Sequence, residues 1–155
     1  MCQENTTLTN ECEDINGKNT DVSRYKAREQ AFLLFFESLF SQSDIEETVE
    51  NAVDGRDLFF SDYAVECVKG INENKEKIDE LILSKLKNGW KLSRISKVCY
   101  GVLCVAIYEM LFSDDIPLSV SINEAVELTK KYAYKEDAAF VNGVLGAIYK
   151  DLKKE

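Results

Sequence analysis

From residue 23 onward, apolar residues recur at three- and four-residue intervals, and no stretch alternates as a strand would. Ser23 is a good N-cap for a first helix through RYKAREQAFLLFFESLF, which puts Ala27, Ala31, Leu34, Phe35, Ser38 and Leu39 on one face. Phe32, Phe36 and Phe40 widen that face, so neighbours are expected around most of the helix. Asp44 is expected to cap a short helix to about Ala52, and Asp54-Gly55 to turn the chain after it. Leu58, Tyr63, Val65, Cys67, Val68 and Ile71 predict a third helix from Asp57, broken around Gly70 to Asn74. A fourth is expected over about 74 to 87, carrying Ile78, Leu81, Ile82 and Leu86 and stopped by Gly89.

Ser93 opens the most apolar segment, RISKVCYGVLCVAIYEMLF, whose lack of a polar face marks a buried central helix. Pro117, the only proline, fixes an extended connection after it. Ser121 and Glu124 have the spacing of a capping box for the next helix, and a last helix spans about 136 to 153. Inside that last helix stands Asn142-Gly143, a strong hairpin signal elsewhere. Phe140, Val144, Leu145, Ile148 and Leu152 keep helical spacing around it. Gly143 is therefore expected to admit a close helix contact, at about 1 kcal/mol of helix propensity, with Asn142 hydrogen-bonding across it. The expected fold is all-α, about seven helices in two packed helical bundles.

The 155 residues and 45% apolar content suit one domain with a proper core, assigned to 23–155. Residues 1–22 are polar and acidic and lack aromatics, so a flexible tail is expected there. Nineteen Lys and Arg against 28 Asp and Glu give a net charge of -9, which disfavours chain-wide affinity for nucleic acid and leaves a local basic patch open. The start of the chain has neither a basic segment nor an apolar core of a signal sequence, so a cytoplasmic location is expected and the Asn5-Thr6-Thr7 sequon is read as coincidence.

Catalytic chemistry finds little support. The chain has no histidine, which removes His triads and His metal ligands, and no glycine-rich phosphate loop. Five cysteines form no C-x-x-C pair, and Cys99 and Cys104 sit on the apolar central segment as small hydrophobes. No enzyme activity, metal or cofactor is expected. Two basic stretches stand out instead. Arg24, Lys26 and Arg28 cluster at the start of the first helix, where cations oppose the macrodipole. In KLKNGWKLSRISK, Lys85, Lys87, Lys91, Arg94 and Lys97 surround Trp90, with no acid until Glu109. These cations either form a solubilising rim or meet phosphates. Trp90 either stacks on a base or plugs the core, the commoner fate of a Trp in a helix connection.

The motifs R-x-K-A-R-E-x-A at 24–31, N-G-W-x-L-S-R-I at 88–95, Y-E-M-L at 108–111, D-I-P-L-x-V-x-I-N-E-A-V-E-L-x-K at 115–130 and F-V-N-G-V-L at 140–145 resemble those of the NusB family, from 23 to about 150. The resemblance implies a seven-helix fold and a role in transcription antitermination. It implies pairing with the ribosomal protein NusE, binding of the boxA element of nascent ribosomal RNA transcripts, and entry into an antitermination complex on RNA polymerase. Some members also form homodimers. By the same resemblance, RNA contacts would fall on Arg24, Lys26, Arg28, Glu136 and Phe140, and partner contacts on Phe36 and Cys99. Phe140 either stacks or packs. Departures from the family pattern are Ala138-Ala139, where many relatives carry a basic residue, and Cys99-Tyr100, where they carry an acidic-basic pair.

Two alternatives follow from the same features. One is a helical interaction protein with reduced RNA affinity. The other is an isolated module like that of ribosomal RNA methyltransferases, an enzyme that needs a cofactor domain not found in these 155 residues.

Overall fold

A computed structural model describes residues 23–41, 47, 50 and 60–153. Among them are six α-helices: α1 (Arg24–Phe40), α2 (Asp62–Glu73), α3 (Lys75–Ser84), α4 (Lys97–Phe112), α5 (Leu118–Tyr132) and α6 (Lys135–Lys153). A 3-10 turn, Leu92–Arg94, precedes α4, and no strand occurs among the described residues. The acidic stretch 1–22, the turn at Asp54-Gly55 and, apart from Glu47 and Glu50, the helix expected over 44–52 lie outside the described residues.

The helix starts follow serine chemistry. Ser23, Ser61 and Ser96 each accept a hydrogen bond from the backbone N–H three residues on, which satisfies a donor the helix itself leaves free. α2 and α3 are separated by Asn74 alone, whose backbone and side-chain N–H groups both donate to the Gly70 carbonyl. α4 starts at Lys97 rather than Ser93, because the preceding residues wind into the 3-10 turn. α5 starts directly after Pro117, whose φ of -60° already suits helix entry. Ser121 therefore lies inside α5 and is not a cap, which corrects the capping-box expectation.

α4 is the hub, in contact with α1, α2, α3, α5 and α6, while α1 pairs with α2 and α5 with α6. Its residues Gly101 to Ile107 are all buried. Close helix approach occurs at glycines other than the expected one. A Cβ on Gly70 would stand 2.1 Å from Cε1 of Tyr108, and one on Gly101 would stand 3.1 Å from Cε1 of Phe32. Around Gly143 nothing lies within 4 Å, and Asn142 is exposed, so neither residue mediates a helix contact. α1 is also less enclosed than its phenylalanines suggest: Phe32 is buried, but Phe40 is 62% exposed.

Candidate nucleic-acid interface

Only part of the first basic cluster reaches the surface. Arg24 and Lys26 are exposed. The Arg24 guanidinium lies 4.4 Å from the centroid of the Tyr63 ring and 3.4 Å from Asp115. Arg28 points inward, with a side chain only 4% exposed. Its Nε and Nη2 donate to both oxygens of Glu109 at 2.8 to 3.2 Å, and Nη1 stands 3.7 Å from Glu124. The hydroxyls of Tyr63 and Ser121 also donate to Glu109, at 2.5 and 2.6 Å. Four helices thus meet on one fully buried carboxylate, and Arg28 is a structural cation with no surface left for a phosphate. The signal was in the sequence: Arg28 lies three residues before Ala31 and seven before Phe35, on the core face of α1, and Glu109 is the one acid in the apolar central segment.

Beside Lys26 the structure adds residues that the motifs did not nominate. Glu29 of α1 accepts hydrogen bonds from Lys131 at 2.5 Å and from the Tyr132 hydroxyl at 2.7 Å, both at the end of α5. Burial alone would raise the Glu29 carboxyl, but these donors, helped by Lys131 and Lys26 charge, hold it below its usual value. Burial and the bond to Glu29 push the Tyr132 phenol up to about 12. The Tyr132 ring packs 5.2 Å from Phe32, and Tyr134 beyond it is 76% exposed. The run KKYAYK at 130–135, lysines interleaved with tyrosines, was the available signal.

The α5–α6 turn carries this edge to Glu136, which is exposed in the first turn of α6. Phe140, one turn later, is half-buried. It stacks on Trp90 with ring centroids 6.5 Å apart and planes at 26°. Trp90 is not a core plug: it is 42% exposed, in the loop between α3 and the 3-10 turn. Lys87, Lys91 and Arg94 are exposed in the same loop, and none of the three pairs with a described acid. Lys85 is engaged with Asp151.

The two expected partner positions fare differently. Phe36 is half-buried in an aromatic row, 5.7 Å from Phe32 and 5.0 Å from Phe40. Cys99 is 2% exposed, and burial pushes its thiol up, so it does not reach a partner directly. The accessible groups nearby are Phe40 and Lys97, whose ammonium lies 5.5 Å from the Phe40 ring.

These features define an all-helical module with cationic, aromatic-bearing edges at the α5–α6 turn and the 87–94 loop. A family model, the NusB family, matches residues 25–150. The transcription antitermination protein NusB of Clostridium botulinum (strain Kyoto / Type A2) is 43% identical over 142 residues, covering 81% of this chain and 98% of the relative. A solved structure of T. maritima NusB is 36% identical with a TM-score of 0.73, covering 83% of this chain and 92% of that one. A chain in the crystal structure of antitermination factors NusB and NusE in complex with dsRNA is 29% identical with a TM-score of 0.72, covering 84% and 99%. The protein belongs to the NusB family.

Proposed function

We propose that the protein is an RNA-binding transcription antitermination factor that pairs with the ribosomal protein NusE and binds the boxA element of nascent ribosomal RNA transcripts, as part of the antitermination complex on RNA polymerase. The observation that carries this reading is the similarity, along most of the chain, to a component of the NusB–NusE–dsRNA structure. Arg24, Lys26 and the lysines of the α5–α6 turn supply phosphate contacts. Glu136, acceptor-only when ionised, takes a hydrogen bond from a base amino group, and Phe140 supplies apolar contact. Phe36, Phe40 and Lys97 form the face for the protein partner. The reaction-free role and the cytoplasmic location expected from the sequence belong to the same reading; no described helix is long and apolar enough to cross a membrane.

The test is a titration of labelled single-stranded boxA-type RNA with the protein alone, with NusE, and with an Arg24→Ala/Lys26→Ala variant. The pair should bind more tightly than the protein alone, and the variant should flatten the salt dependence by about 0.7 per lost phosphate contact. If the pair binds no better and the variant matches the parent, the reading fails. The net charge of -9 and the inward turn of Arg28 favour a second reading, a helical interaction protein with reduced RNA affinity. That reading is distinguished by NusE binding without RNA binding.

A further inference from the structure

We propose that Trp90 is a base-stacking residue: backed by Phe140, its indole receives an unpaired base of bound RNA while Lys87, Lys91 and Arg94 hold the adjoining phosphates. The inference rests on the RNA-binding reading above and adds to it a site in the α3–α4 connection.

The loop is built to present this ring. The backbone N–H of Trp90 donates to the Lys87 carbonyl at 3.0 Å, closing a turn, and Gly89 within it has φ +88°, a left-handed conformation that favours glycine. The turn directs the indole onto Phe140 of α6, a helix whose own inner face is firmly buried through Val141, Val144, Leu145 and Ile148. The indole is therefore braced by a fixed neighbour yet remains 42% exposed, so a base that stacks on it meets a ring already held in place.

Charge selects the occupant. From 81 to 108 the chain has no acid, and Lys87, Lys91 and Arg94, within four residues of Trp90 along the chain, are exposed. In a protein of net charge -9 this is a place where a polyanion gains attraction, and an aromatic ring among cations is the arrangement single-stranded nucleic acid uses. Glu136, four residues before Phe140 on the same side of α6, repels phosphate, so the RNA backbone is steered over the 87–94 loop.

Trp90 is the only tryptophan in the chain, so its emission reports on this site directly. The protein is titrated with unlabelled single-stranded boxA-type RNA while Trp90 emission is followed, and with labelled RNA while anisotropy is followed. Both signals should saturate together. Trp90→Leu should weaken binding by roughly 5- to 150-fold and Trp90→Phe much less, the effect of losing or keeping one stacking face. A Lys87→Ala/Lys91→Ala/Arg94→Ala variant should lower the salt slope by about 2. Thermal melts of each variant separate loss of fold from loss of contact. Anisotropy that reports binding while Trp90 emission stays flat and Trp90→Leu binds like the parent overturns the inference and leaves the RNA-binding reading standing. Emission that responds to NusE and not to RNA overturns it in favour of a protein contact. Absence of binding in anisotropy, with and without NusE, overturns both.

Discussion

Removing Arg28 or Glu109 singly leaves the other charge buried without its main counter-charge. The carboxylate is fully buried and takes bidentate hydrogen bonds from Arg28, with Tyr63 and Ser121 completing its shell. Arg28→Met or Glu109→Ala should therefore lower the unfolding free energy by about 3–5 kcal/mol in urea titrations. The double variant Arg28→Met/Glu109→Leu should recover much of that loss, since neither charge is then left alone. Single variants within 1 kcal/mol of the parent would show that the network has solvent access, contrary to the geometry. Burial first, then the bond it donates to Glu109 and the charge of that carboxylate, push the Tyr63 phenol well up. That phenol stays a donor across ordinary pH.

At the scale of elements, helix existence was legible from periodicity, and the serine cap at 23 sat beside the apolar run it starts, whereas the cap of α4 is Ser96 and not the expected Ser93, because the residues between wind into the 3-10 turn. The roles of the glycines were not legible, because propensity describes one helix and close approach depends on two. Gly143 sits in α6 with open space where a side chain would go, so Gly143→Ala should stabilise the protein by about 0.5–1 kcal/mol in the same titrations. Gly70→Ala should act in the opposite sense, by about 1–3 kcal/mol, because Tyr108 must swing away from the new methyl group. The candidate interface was half legible for a related reason. Charge clustering singled out Arg24 and Lys26, which are exposed, but the same count included Arg28, whose carboxylate partner lies 81 residues further along. Trp90 was misjudged because tryptophans in connections usually bury their rings, and here the left-handed turn at Gly89 holds the indole out on Phe140.

At the scale of the molecule, the charge is unevenly distributed. The chain is acidic overall, while cations gather at the α5–α6 turn and in the 87–94 loop, whose Trp90 packs on Phe140 of α6. Affinity for a polyanion is then local and short-ranged at physiological salt, where screening acts over about 8 Å. A second protein docked beside these edges extends their reach. The hub position of α4 has its own consequence. Every other described helix rests against it, so no partial opening frees its middle, and amide protons from Val102 to Ile107 should exchange with deuterium only when the whole domain comes apart. Their exchange rates would then report the global unfolding free energy without any denaturant.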